Sequence, residues 1–237
     1  VLCAPHPVST WFSPWGRFLV AALWHESWGQ KRARMTSPEL DIADWRRCVF
    51  ALYAEVRAAQ EPVAAHEAWR RGREALFRQH TQSPLCDDPD HATWQFRTYP
   101  YDPAQRFLVD VEDARGGGPI GVPVGADGVL RLRPFGRTRG LREGVGSELT
   151  VFWLEGYGGG VFLPFGDATN GCETYGGGRY VLDTIKGADL GRVGEKLVVD
   201  FNFAYQPSCS YSPRWTCPLP PPENRLAVPI RAGERIG

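Results

Sequence analysis

Beyond Pro84, apolar residues recur at every second position in short runs broken by glycine. Over residues 106–113, Phe107, Val109 and Val111 alternate with Arg106, Asp110 and Glu112. Successive side chains of a strand point to opposite faces, so this pattern predicts a strand with one dry face and one wet face. Further strands are predicted over 93–99, 129–135, 148–157, 160–165, 179–185 and 196–205. No helical pattern separates them that could serve as a crossover, so neighbouring strands must pair antiparallel through turns. Glycine triplets at 116–118, 158–160 and 176–178 are the natural hairpin loops. The expected fold is mainly β (α+β), an antiparallel sheet closed into a barrel or sandwich, with two N-terminal helices over one end or one open face.

The helices come before Pro84. Ser37, Pro38 and Glu39 read as an N-cap, a first-turn proline and a first-turn acid. Ile42, Trp45, Val49, Leu52, Tyr53 and Val56 follow at helical spacing. Glu61-Pro62 interrupts, and a second helix is predicted over 64–80. Its buried side carries Trp69, Leu76 and Phe77, and its solvated side Arg70, Arg71, Arg73 and Arg78. Residues 1–34 differ in composition. They hold four of the nine tryptophans and a net charge of +3, from Arg17, Lys31, Arg32 and Arg34 against Glu26. We expect them to form an extension not folded on the domain, with a single domain over 35–237 starting at Met35. A signal peptide is the competing reading. Its apolar core, residues 18–24, is short and no small-x-small cleavage pattern follows, so a cytoplasmic location is expected.

Charge narrows the function classes. Lys plus Arg and Asp plus Glu both total 27, so no net field draws the chain to nucleic acid or to an anionic membrane. No apolar run approaches the roughly 18 to 20 residues of a membrane-spanning helix. Neither a nucleic-acid nor a membrane partner is expected, and nothing indicates an oligomeric state.

The polar residues suggest a pocket. In the predicted strand 196–205, Asp200 and Asn202 share one face, opposite Val199, Phe201, Phe203 and Tyr205. Asp167 and Thr169 lie in a polar turn, and Tyr175 to Tyr180 is a glycine loop with Arg179 and two phenols. The reading is a small polar or anionic ligand held in a barrel pocket, with catalysis open. Asp167 or Asp200 would be the acid/base, Arg179 the anion clamp, and Tyr175, Tyr180 and Tyr205 the orienting phenols. Asp167, Arg179, Tyr180, Asp200 and Asn202 should then converge on one concavity. Two alternatives stand: a non-catalytic structural or interaction module, and a flavin-binding split barrel. All five histidines lie by position 91 and no Gly-x-Ser-x-Gly elbow occurs, which disfavours a Ser-His-Asp or Cys-His hydrolase. The six cysteines contain no Cys-x-x-Cys pair. No metal site is expected, and Cys209 and Cys217 are expected as neighbouring reduced thiols.

One stretch is more specific. The run from Asp200 through Phe-Asn-Phe-Ala-Tyr-Gln-Pro-Ser-Cys to Cys217-Pro-Leu-Pro-Pro-Pro-Glu-Asn-Arg-Leu226, followed by Ile230-Arg-Ala-Gly-Glu234, resembles the signature of a bacterial and archaeal family catalogued as domain of unknown function 1684. The likeness extends to Phe165-Gly-Asp-Ala-Thr169, Thr174 to Tyr180, Tyr99-Pro-Tyr-Asp-Pro103 and Trp69, so roughly over residues 40 to 235. The resemblance implies no activity or cofactor. It does imply that Asp167, Thr169, Tyr175, Arg179, Tyr180, Asp200, Asn202, Tyr205, Cys209, Cys217, Glu223 and Asn224 belong to shared motifs. The run Pro218 to Pro222 should cross the sheet as an extended strap, with Glu223 or Asn224 satisfying a neighbouring backbone.

Overall fold

The first helix is set by its cap. Ser37 accepts the Leu40 amide at 3.4 Å, Pro38 presets the first turn, and Glu39 and Asp41 meet the positive end of the helix dipole. The computed structural model describes residues 37–91, 93–114, 116–125 and 128–236, so the expected extension 1–34 and the start at Met35 lie outside the described residues. Helix α1 spans Pro38–Ala58 and α2 spans Pro62–Gln79. The second helix starts two residues before the predicted boundary because Pro62, lacking a donor that a first turn cannot use, opens the helix. The two helices pack closely: a Cβ at Gly72 would lie 2.6 Å from Leu52 Cδ1. Among the described residues, no helix is long and apolar enough to cross a membrane.

The remainder is a mostly antiparallel sheet curled into a half-barrel, as the alternation predicts. Its strands are β1 (Arg106–Asp113), β2 (Ile120–Pro123), β3 (Val129–Arg139), β4 (Thr150–Leu154), β5 (Gly160–Phe165), β6 (Arg179–Asp183), β7 (Arg192–Val193) and β8 (Lys196–Asp200). The order is β6-β5-β4-β3-β1-β8-β7, with β2 paired on β3. The curl brings the far strand β6 back to the chain leaving β8. There Tyr180 and Tyr205 exchange backbone hydrogen bonds of 2.9 and 3.0 Å.

Both faces of the sheet are covered. On one, Leu132, Phe152, Leu154 and Phe162 meet Leu52, Tyr53 and Trp69 of the helices. On the other, Val109, Val151, Leu163, Phe165 and Val199 meet Leu226, Ile230 and Ala232 of the C-terminal segment.

Three expectations change. The strand predicted over 93–99 is reduced to one bridge, Thr98 to Glu234. The strand predicted over 196–205 stops at Asp200, because the Asp200 carboxylate accepts the Asn202 amide at 3.0 Å and turns Phe201–Phe203 into a 3-10 turn. Phe201 then packs on one face of the sheet and Phe203 on the other, not on a common face. Arg73 is not on a solvated face but buried at 8% exposure. It pairs with Glu234 at 3.1 Å and lies within 5.9 Å of the Trp69, Phe77, Phe96 and Tyr205 ring centroids.

The proline strap is tied down at both ends. Tyr180 Oη donates to Pro218 O at 2.6 Å. At Gly178 (φ +89), a Cβ would lie 2.6 Å from Pro220 Cγ and 2.7 Å from Phe165 O, so only glycine lets the loop pass so close to the strap. Asn224, fully buried, accepts the Thr150 amide at 2.8 Å and donates to Thr150 O at 2.9 Å and Pro164 O at 2.8 Å. Asn224→Ala strips buried amide and carbonyl groups of their partner. It should destabilise the protein by about 1–3 kcal/mol, read as a lower urea midpoint at an unchanged m-value.

Candidate functional site

Arg179 opens β6 directly after the glycine loop and is wholly enclosed, at 0% exposure. Its Nη1 donates to the carbonyls of Ala232 and Glu234. Its Nη2 donates to Ile230 O at 2.7 Å and to Asp167 Oδ2 at 2.8 Å. The guanidinium also lies 5.1 Å from the Phe165 ring centroid. Asp167 is satisfied in turn: Oδ1 accepts the Thr169 amide at 2.7 Å, the Thr169 hydroxyl, and the Ile230 amide at 3.3 Å. The donors expected to clamp an anion therefore grip protein carbonyls, and Asp167, Thr169 and Arg179 form one architectural knot.

The phenols divide similarly. Tyr205 Oη donates to Asp183 Oδ2 at 3.2 Å, and burial drives its hydroxyl well above the ordinary range. Tyr180 serves the strap. Tyr175 Oη lies 3.7 Å from Cys209 Sγ, and burial pushes its hydroxyl up to about 12. The five residues expected to converge thus fall into three sets: Asp167 with Arg179, Tyr180 on the strap, and Asp200 with Asn202.

Asp200 and Asn202 do meet, through the turn and not through the strand pleat. Asn202 Nδ2 donates to Asp200 Oδ1 at 2.8 Å and to Asp102 O at 2.7 Å, while Asn202 Oδ1 accepts the Asp102 amide at 2.8 Å. The Asp200 carboxyl is 1% exposed, and burial pushes it up to about 6 against the opposing pull of its Asn202 bonds, Arg106 and Tyr101. It lines a cleft of ≈ 220 Å³ between the α1–α2 turn and the β1–β8–β7 edge. Arg57, Arg106 and Arg192 line the same cleft, along with Leu190, Val198 and Phe203. Arg106 Nε is 3.8 Å from Asp200 Oδ2, Arg57 reaches the Asp189 carbonyl, and Arg192 Nη2 is 2.9 Å from Glu195 Oε2. Sequence reasoning missed these arginines. They come from a helix end, a strand start and a two-residue strand, and no spacing connects them.

Among the described residues, Asp44, Cys48 and His80 form a group compact enough for a metal, with candidate atoms within 4.8 Å of one another. His80 Nδ1 accepts the Gln82 amide at 3.0 Å, so the proton of a neutral ring sits on Nε2, facing Asp44 at 3.4 Å. That contact ties the end of α2 to the first half of α1.

The Arg179 knot makes a direct prediction. Arg179→Met leaves Asp167 buried without its partner and should cost about 3–5 kcal/mol in chemical denaturation. Restoring neutrality with Asp167→Asn in the same chain should recover part of that loss.

Comparison with known proteins agrees with the shared motifs. No curated protein matches the chain. A solved structure, the solution NMR structure of the uncharacterised protein from gene locus rrnAC0354 of Haloarcula marismortui, is 28% identical. The match covers 72% of this chain and 91% of that one, with a TM-score of 0.50. Residues 94–235 match the family described as Protein of unknown function (DUF1684), a span that holds the whole sheet, the Arg179 knot and Asp200 but leaves out both helices. With well over half of its length inside that match, the chain belongs to the DUF1684 family.

Proposed function

We propose that the protein binds a small anionic molecule in the Asp200 cleft, with Asp200 as its acid/base group. The observation that carries this reading is a carboxyl almost wholly buried in a concavity lined by three arginines, with burial pushing it up to about 6. The arginines supply bidentate donors suited to a carboxylate or phosphate group. Asp200, once protonated, adds a donor instead of a repelling charge. Asn202 fixes the carboxyl by holding one oxygen, leaving the other toward Arg106. The volume suits a ligand of a few heavy atoms. An architectural role is favoured for Asp167, Thr169 and Arg179, whose hydrogen bonds run to one another, to Thr174 and to the backbone around them.

Sulfate keeps a constant charge across the relevant range and serves as the probe. Its affinity by calorimetry should fall as pH rises through about 6, when Asp200 ionises. Asp200→Asn should flatten that dependence, and Arg106→Met should weaken binding about tenfold (about 1.4 kcal/mol) at every pH. A sulfate affinity indifferent to both substitutions would refute the reading.

The same group links pH to stability. Its folded value of about 6 lies above the ordinary 3.8, so the native state holds this proton more tightly. The stability it contributes is complete below the ordinary value and is lost as pH rises to about 6. Asp200→Asn should therefore remove a downward component of the stability–pH curve across that window, measured by urea unfolding at a series of pH values.

A further inference from the structure

Cys209 and Cys217 lie together at the start of the proline strap. Cys209 sits in the 3-10 turn Ser208–Ser210, and Cys217 directly precedes the proline run. The two thiols lie close enough for each to act on the other. The Cys209 amide donates to Cys217 Sγ at 3.4 Å, and the backbone of Ser208 in the same turn also favours the thiolate of Cys217. Lys186 adds positive charge nearby. Donors converging on Cys217 hold its thiol below the usual range, while Cys209, giving its own proton toward Cys217, is held above it. Tyr175 Oη, at 3.7 Å, flanks Cys209.

Cys217 also opens to a space. It lines a cleft of ≈ 250 Å³ with Ile42, Trp45, Ile185 and Trp215, rimmed by Arg46 and Lys186. The two tryptophans offer flat apolar faces, and the two cations suit a carboxylate. Neither of these walls belongs to the Asp200 cleft, whose lining is a different set of residues.

We propose that Cys217 and Cys209 are the attacking and resolving thiols of a thiol–disulfide exchange site for small disulfides with an apolar body and an anionic group. The Cys217 thiolate attacks one sulfur of R–S–S–R′, forming Cys217–S–S–R and releasing R′S⁻. Cys209 then gives up its proton and attacks the Cys217 sulfur, releasing RS⁻ and closing the Cys209–Cys217 disulfide. Two electrons pass from the cysteine pair to the substrate disulfide, and the two thiol protons end on RSH and R′SH. The amide donated to Cys217 Sγ favours the first attack, and the closeness of Cys209 to Cys217 favours the second.

The probe is 5,5′-dithiobis(2-nitrobenzoate), an aromatic dianionic disulfide whose released thiolate is coloured. The full chain is used with Cys3→Ser, Cys86→Ser and Cys172→Ser, which leaves Cys209, Cys217 and the buried Cys48. One equivalent of reagent should release two equivalents of coloured thiolate. The protein should then lack two hydrogens by intact mass, carry no adduct, and show a Cys209–Cys217 cross-link on peptide mapping. Adding Cys209→Ser should stop the reaction at one equivalent, with the adduct on Cys217. Adding Cys217→Ser should slow the first release about tenfold or more. A stable adduct in the chain retaining both thiols, a first adduct on Cys209 or Cys48, or an undiminished rate without Cys217 would overturn the proposal. If Cys217→Ser does not fold, the adduct position in the Cys209→Ser chain and the cross-link decide alone.

Discussion

The guanidinium of Arg179 joins β6 to the C-terminal residues 230–234, which no strand pairing connects to it. It takes the carbonyls of Ile230, Ala232 and Glu234 and the carboxylate of Asp167 in one fully buried fork. Burying either charge alone would cost several kcal/mol, and the pair is tolerable because almost every remaining lone pair and proton has a partner. The C-terminal segment can therefore lie flat across one face of the sheet. There Leu226, Ile230 and Ala232 complete an apolar cluster that the strands leave open.

That placement governs a second buried pair. Once residues 230–234 are pinned, Glu234 extends to the opposite side, where it accepts from Arg73 of α2 and from the Gln206 amide at 2.8 Å. Burial raises the Glu234 carboxyl, and the Arg73 charge and the Gln206 bond oppose that rise. The helical hairpin is thus fastened to the sheet by an ion pair set among aromatic rings as well as by Leu52, Tyr53 and Trp69. The two charge pairs form a relay of position from β6, through the last residues, to α2.

The two clefts follow from this framework. The hairpin turn, held against the sheet, closes the Asp200 cleft from above, and α1 supplies Ile42 and Trp45 to the Cys217 cleft. Each cleft therefore takes one wall from the helices and its reactive group from the portion matching the DUF1684 family. Chemistry carried by the sheet is given its enclosure by elements outside that match.

Local patterning alone determined much of this protein. A cap, a proline and apolar spacing set α1, alternation set β1 and β3 to β6, and the amide-poor proline run announced a strap needing a side chain such as Asn224 beside it. These features were legible because each depends on residues near one another in sequence. Tertiary structure decided the rest. Phe201 and Phe203 continue the alternation of β8 on paper, yet a side-chain bond from Asp200 bends the chain and sends them to different cores. Arg73 looks like its solvated neighbours until Glu234, far along the chain, supplies its counter-charge. Arg57, Arg106 and Arg192 become a group only when the sheet curls beneath the hairpin. Burial, ion pairing and shared cavities are set by which segments meet in space, and a one-dimensional pattern holds no record of that.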